Sequence, residues 1–193
     1  MSSRDYAAIA SRVLARIESA QGRLIEPETT GKSGVFSDGD PVGGVFVDVE
    51  ALRIIVDALW EGLSDRGVSW VGFYRVCPGA PPDQALTLGP SRDAPACSPI
   101  GLHGVCGQAV VGRRTMIVRD VAELGEGYVA CDPRDRSEIV LPCYGGSDGG
   151  SGAGGPVCWG ALDLDSHEVG AFDEGDERGL KMVLEAGGVG VGE

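Results

Sequence analysis

The nine residues from Val157 to Asp165, VCWGALDLD, carry the pattern that decides the fold. Side chains alternate across a strand, so Leu162 and Leu164 point to one face while Asp163 and Asp165 point to the other. Such a strand belongs to a sheet with one apolar and one acidic face. We expect helices stacked on one face of the sheet and the other face free for a ligand.

Patterns on either side of this strand supply the rest of an α+β domain. Apolar residues at helical spacing predict helices from about Arg4 to Gln21 and from Val49 to near Gly67, and Asp173 is a good cap for a terminal helix. The remaining elements are a short helix at Gly104 to Val111 and strands at Val68 to Val76, Ala85 to Leu88, Ala96 to Ile100, Met116 to Val118 and Glu138 to Cys143. This order, with its antiparallel hairpin, predicts helices stacked on one face of a sheet.

The composition indicates one acidic globular domain. The chain has 193 residues, a length that one core can organise, and 42% of them are hydrophobic. Sixteen basic against 29 acidic residues give a formal charge of -13, which disfavours nucleic acid and anionic membranes as partners. No apolar run approaches the roughly 20 residues of a membrane span. The N-terminus lacks the features of a secretory signal, so we expect a cytoplasmic protein.

The stretch from Tyr128 to Pro142, YVACDPRDRSEIVLP, places a thiol near a carboxylate. Cys131 lies in a polar segment typical of an exposed loop, and Glu138 opens an apolar run typical of a buried strand. A loop cysteine beside a strand-borne acid can react, whereas the plain alternative is a thiol that happens to be exposed. The other cysteines bear on this choice.

The six cysteines divide into two groups by position. Cys97, Cys106 and Cys131 lie in or beside the loop-rich middle of the chain, while Cys77, Cys143 and Cys158 lie within or at the ends of predicted strands. The strand group is expected to pack as small hydrophobes. Structural zinc is disfavoured, because His103 stands three residues before Cys106 but no Cys-x-x-Cys pair is present. A redox relay, in which a sulfenic acid condenses with a second thiol, fits the loop group better.

Three carboxylates on predicted strands are candidates for proton transfer and ligand binding. Glu138, Asp163 and Asp165 would raise one another's proton affinity if they cluster, and they would hold a ligand ammonium group. The alternative for the two aspartates is a solvated strand end.

A reactive cysteine close to these acids would need a compensating positive charge, because neighbouring carboxylates make a thiol less acidic. Arg134, Arg136 and the amides at the helix start near Gly104 are candidates for that compensation.

Trp70 and Tyr74 share one face of a predicted strand across Gly72. Two aromatic residues flanking a glycine favour a ligand pocket, although aromatic residues are also ordinary components of a sheet core.

Five motifs together resemble the free methionine-(R)-sulfoxide reductases, a family of single-domain enzymes with the GAF fold. The resemblance runs from about residue 46 to 185 and implies a GAF-like α+β domain, with helices on one face of an antiparallel or mixed sheet and the ligand pocket on the other. The motifs, in the family's order, are WVGFY (Trp70 to Tyr74), GVCGQAV (Cys106), YVACD (Cys131), SEIVLP (Glu138) and GALDLDS (Asp163 and Asp165).

The resemblance implies reduction of the R-epimer of free methionine sulfoxide to methionine, without metal or flavin. It further implies recycling by thioredoxin, and it admits a homodimer. The matched residues give Cys131 as the nucleophile, Cys97 and Cys106 as the cysteines associated with resolving it, Glu138, Asp163 and Asp165 as substrate-binding and acid residues, and Trp70 and Tyr74 as the aromatic wall.

We expect one catalytic domain over residues 1–193, with an N-terminal helix and loop to residue 45, a core over 46–185 and a flexible glycine-rich insertion at 145–156. The segments Ser33 to Asp40 and Pro78 to Asp83 depart from the family pattern, as does the glycine-rich end of the last helix. Two other functions are open from the residues: a GAF module that binds a small ligand without chemistry, and a thiol redox sensor without turnover.

Overall fold

The computed structural model of the protein describes residues 4–23, 45, 47–92, 96–125, 131–145 and 155–192. The predicted loop at Glu26 to Gly44, which contains the Ser33 to Asp40 segment, and most of the glycine-rich insertion lie outside the described residues. Residues 128–130 of the YVACD motif lie outside them as well.

One antiparallel sheet of six strands forms the centre of the molecule. Its strands are β1 Trp70–Val76, β2 Leu86–Arg92, β3 Met116–Val118, β4 Ser137–Gly145, β5 Val157–Ser166 and β6 Gly190–Val191. They run in the order β2-β1-β5-β4-β3, and β6 pairs with the end of β4.

The strand predicted at Ala96 to Ile100 is wrong. Within it only Ile100 pairs with the sheet, in a single bridge to Leu86. Pro99 has no N–H group to donate to a ladder, and the hydroxyl of Ser98 accepts the hydrogen bond from the Leu88 amide at 3.1 Å. A side chain therefore meets the edge strand β2 where a regular strand would use its backbone.

Three helices cover one face of the sheet, as predicted, and this is the face that carries Leu162 and Leu164. They are α1 Tyr6–Arg23, α2 Val49–Leu63 and α4 Glu174–Ala186. Asp48 caps α2, and Asp173 forms a capping box with Asp176 at the start of α4. Leu162 and Leu164 are fully buried in the core beneath these helices.

A fourth helix, α3 Val105–Gly112, packs on the opposite face of the sheet. Val105, Cys106 and Ala109 join a second buried cluster there, with residues of β1, β4 and β5. A Cβ atom at Gly107 would meet the backbone of Leu102, so glycine allows α3 to lie against the segment that precedes it. The ligand face is thus partly roofed by a helix, and the open space lies beside α3.

Among the described residues, no helix combines the length and the apolar character needed to cross a membrane.

Candidate active site

The register of three neighbouring strands brings the acidic and aromatic residues together. Trp70 of β1 pairs with Asp165 of β5, and Asp165 pairs in turn with Glu138 of β4. In the next row on the same face, Gly72 pairs with Asp163. Strand alternation points the side chains of Trp70, Glu138, Asp163 and Asp165 away from the helical core. Residues that are almost 100 positions apart in the chain therefore form one continuous patch.

A cavity of about 620 Å³ lies over this patch, between the sheet, α3 and the loops that carry Cys97 and Cys131. Every catalytic or substrate-binding residue that the sequence predicted lies on its wall. These residues are Trp70, Tyr74, Cys97, Cys106, Cys131, Glu138, Asp163 and Asp165.

Trp70 and Tyr74 form the aromatic part of the wall, with ring centroids 6.0 Å apart. Gly72 leaves no bare patch between them, because the indole of Trp70 lies across it and a side chain there would collide with that ring. The Trp70 indole N–H is buried and has no hydrogen-bond partner among the described residues. A buried donor on a cavity wall is available to a ligand acceptor.

The three carboxylates Glu138, Asp163 and Asp165 form one cluster, in which an oxygen of each lies within 4.8 Å of the others. Burial is the main cause that raises the pKa of Asp163 and of Asp165, and for Asp165 the charges of Asp163 and Glu138 add to it. A cluster of this kind can retain a proton near neutral pH. Its spacing also suits a ligand ammonium group or a cation.

Cys97 and Cys131 are joined by a disulfide, with their Cα atoms 5.5 Å apart. Both residues are half-buried on loops that line the cavity. The hydroxyl of the buried Tyr74 donates a hydrogen bond of 2.9 Å to the Cys97 carbonyl. The Cys97 segment is thus held by β1 as well as by its contact with β2.

Cys106 is a buried free thiol in the first turn of α3. Its Sγ donates a hydrogen bond to Asp163 Oδ2 across 3.1 Å. Burial raises the pKa of the Cys106 thiol well above its usual value, and the neighbouring Asp163 raises it further. Of the three cysteines on the cavity wall, Cys106 is the one outside the Cys97–Cys131 disulfide.

The two arginines predicted to compensate the thiolate both bind carboxylates. Arg134 contacts Asp132 at 2.6 Å and Arg136 contacts Asp120 at 3.3 Å. The bonds from Arg134 hold the pKa of Asp132 below its usual range. The third candidate, the helix start at Gly104, lies on the cavity wall.

A group that the sequence did not suggest lies behind the Cys131 loop. His167 Nε2 is 3.5 Å from Asp132 and 3.7 Å from Asp135, and the Ser69 hydroxyl donates to Asp135 at 3.4 Å. Their ligand atoms are close enough to share a cation. His167 is more than 30 residues from the two aspartates in the chain, so no local spacing pattern could have associated them.

The strand cysteines lie away from this cavity. Cys143 is fully buried in the core beneath the helices, as a packing residue would be. Cys77 is half-buried and 3.2 Å from the Thr87 hydroxyl, and Cys158 is half-buried on β5.

Comparison with known proteins connects this cavity to a family. No family model matches the chain. The free methionine-R-sulfoxide reductase of Escherichia coli is 36% identical over 128 residues, which cover 65% of this chain and 67% of that protein. The chain belongs to the free methionine-R-sulfoxide reductase family.

Solved structures agree with this family. The enzyme fRMsr of Staphylococcus aureus in its reduced form has 27% identity and a TM-score of 0.65, with 96% of each chain covered. The complex of the same enzyme with its substrate has 26% identity and a TM-score of 0.63, covering 96% of this chain and 95% of that one. A solved GAF domain has 26% identity and a TM-score of 0.58, covering 94% and 89%. The expected GAF-like α+β fold of this family is thereby confirmed.

Proposed function

We propose that this chain reduces free methionine-(R)-sulfoxide to methionine, with Cys131 as nucleophile, Cys97 as resolving cysteine and thioredoxin as reductant. The observation that carries the proposal is the Cys97–Cys131 disulfide, which lies on the wall of a cavity that also contains the acid cluster. A binding module without chemistry has no use for a disulfide-forming pair beside a ligand cavity. The relationship to the free methionine-R-sulfoxide reductases supports free methionine-(R)-sulfoxide as the substrate.

The first step transfers oxygen from the substrate to the enzyme. The Cys131 thiolate attacks the sulfoxide sulfur while Glu138 or Asp165 supplies the proton that the oxygen needs. Methionine is released and Cys131 becomes a sulfenic acid, so the substrate sulfur is reduced by two electrons and the cysteine sulfur is oxidised by two. The raised pKa of Asp165 fits a proton donor at neutral pH.

The second step regenerates the thiols. The Cys97 thiol condenses with the sulfenic acid of Cys131, which releases water and forms the disulfide. Thioredoxin then reduces that disulfide by thiol exchange, taking up the oxidising equivalents as its own disulfide. Of the two cysteines that the sequence left open for resolution, we assign Cys97, because it is the one bonded to Cys131.

The shape and charge of the cavity fit a free amino acid. Trp70 and Tyr74 would enclose the S-methyl end, and Glu138, Asp163 and Asp165 would bind the α-ammonium group. A methionine inside a peptide lacks that ammonium, and burying three acids beside a neutral amide would leave their charge uncompensated. We place the reaction in the cytoplasm, where thioredoxin systems keep thiols reduced.

The function is tested by following NADPH oxidation with thioredoxin and thioredoxin reductase. Free methionine-(R)-sulfoxide should support turnover, while the S-epimer and N-acetylmethionine-(R)-sulfoxide should support little. Cys131→Ser should abolish turnover, and Cys143→Ser serves as the matched control at a cysteine remote from the cavity. Absence of R-selective turnover, or full turnover by Cys131→Ser, would refute the proposal. Replacing thioredoxin by glutathione and glutaredoxin tests the reductant separately.

A further inference from the structure

The hydrogen bond between Cys106 and Asp163 joins α3 to the acidic face of the sheet. Both side chains are buried, with exposed fractions of 5% and 6%, and Sγ lies 3.1 Å from Oδ2. A thiol is a weak hydrogen-bond donor, and here its proton is directed at a carboxylate oxygen. The acceptor is one of the three acids on the cavity wall.

The second carboxyl oxygen of Asp163, Oδ1, has no protein partner among the described residues. It is buried, although Asp163 lines the cavity. Because Oδ2 is held by Cys106, rotation of the carboxyl group would break that bond. The thiol therefore fixes the carboxyl group of a residue that lines the cavity and leaves Oδ1 as the oxygen without a protein partner among the described residues.

The same bond disfavours redox chemistry at Cys106. Disulfide exchange requires a thiolate or a thiol free to approach its partner, and the proton of the buried Cys106 thiol is engaged by Asp163. Cys106 also lies on a helix packed against the sheet, whereas Cys97 and Cys131 lie on loops and are already bonded to each other.

We infer that Cys106 is a positioning residue: its thiol orients Asp163 so that Oδ1 receives the ammonium group of the amino-acid substrate, and it takes no part in resolving Cys131. This inference rests on the proposed function, and it gives Cys106 a role in substrate affinity. It also explains how a third cysteine can lie on the cavity wall without competing for the sulfenic acid.

The test compares three substitutions at residue 106 in the NADPH-coupled assay. Cys106→Ser retains a hydroxyl donor and should keep kcat/KM within about threefold of the parent. Cys106→Ala and Cys106→Val remove the donor and should raise KM by about tenfold, the effect of losing one hydrogen bond of ~1.4 kcal/mol, with a smaller change in kcat. Mass mapping should find the Cys97–Cys131 disulfide at the parental yield in all three variants.

A double-mutant cycle shows whether Cys106 acts through Asp163. In an Asp163→Asn background, Cys106→Ala should cause little further change in KM, because the carboxylate that it orients is absent. Binding of free methionine to the reduced proteins by calorimetry gives a readout independent of turnover. The unfolding midpoints of the Ala and Val variants show whether a raised KM comes from a misoriented Asp163 or from a destabilised protein. If both variants unfold, the KM and the methionine affinity of Cys106→Ser are compared with those of the parent instead.

Two results would overturn the inference. One is that all three variants, the serine variant included, stall with a Cys131 sulfenic acid that dimedone can trap, which would make Cys106 a resolving thiol. The other is that Cys106→Ala and Cys106→Val bind methionine as the parent does. Lack of turnover by the parent protein would instead refute the proposed function, so the two failures are distinguishable.

Discussion

Asp165 shows at the scale of one residue how a buried acid cluster opposes stability. Its backbone pairs with Trp70 on one side and Glu138 on the other, so its carboxyl is forced into the acid cluster. Burial and the nearby Asp163 and Glu138 raise its pKa above the usual 3.8. The folded protein therefore binds this proton more tightly than the unfolded chain does.

That raised pKa predicts a pH-dependent effect of Asp165→Asn on stability. The contribution of a group with a raised folded-state pKa is complete below the unfolded value and is lost as the pH rises through the folded value. Relative to the parent, Asp165→Asn should therefore gain free energy of unfolding as the pH is raised from about 4, near the unfolded-state pKa, to 8. Urea unfolding across this range measures the difference, and turnover should fall at least tenfold.

Asp65→Asn is the matched control, because it removes the same charge at a carboxylate whose side chain is 80% exposed. A gain at pH 8 that is equal in the two variants would show that net charge, and not the buried cluster, is responsible.

At the scale of elements, the segment around Cys97 has more anchors than its loop sequence suggests. Its Ser98 hydroxyl and Ile100 backbone bind β2, and its Cys97 carbonyl accepts the bond from Tyr74 of β1. These contacts hold the segment against two adjacent strands. Such anchoring suits the resolving role proposed for Cys97, because its approach to Cys131 would require little additional ordering.

Tyr74→Phe should separate the two contributions of this side chain. The aromatic wall is kept, so KM for methionine-(R)-sulfoxide should change less than twofold, whereas loss of the anchor should slow disulfide formation by about fivefold to tenfold. Quenched-flow trapping of the Cys131 sulfenic acid with dimedone measures that step. An unchanged rate of disulfide formation would show that the Ser98 and Ile100 contacts are sufficient.

At the scale of the whole molecule, the disulfide links two segments separated by 34 positions in the sequence. One segment lies beside β2 at one edge of the sheet, and the other leads into β4 on the far side of β5. The protein is thus cross-linked over the cavity in its oxidised form, and reduction removes that cross-link.

Reduction should therefore lower the free energy of unfolding by about 2–4 kcal/mol, the usual effect of opening a loop of this length. Denaturant unfolding with and without dithiothreitol checks this value. In Cys97→Ser the reductant should have almost no effect, and an equal effect there would assign the change to another thiol.

Local patterns in the sequence were sufficient for most of the helices and strands. Alternation in VCWGALDLD correctly put Leu162 and Leu164 on one face and Asp163 and Asp165 on the other, and Asp173 capped α4 as expected. These features depend on neighbours within one helical turn or one strand, so a short window contains their cause. The absence of a regular strand at Ala96 to Ile100 was missed, because a side-chain contact to β2 decided it.

Long-range contacts decided the site. The register that aligns Trp70, Asp165 and Glu138, the choice of Cys97 as the partner of Cys131, and the approach of His167 to Asp132 all join distant parts of the chain. No spacing rule encodes such pairs, since the strand order and the packing of α3 set their distances. The sequence alone thus determined which residue types face the ligand. Only the tertiary structure decided which thiol pairs with Cys131 and which one holds an aspartate, because that choice depends on distances between separate elements.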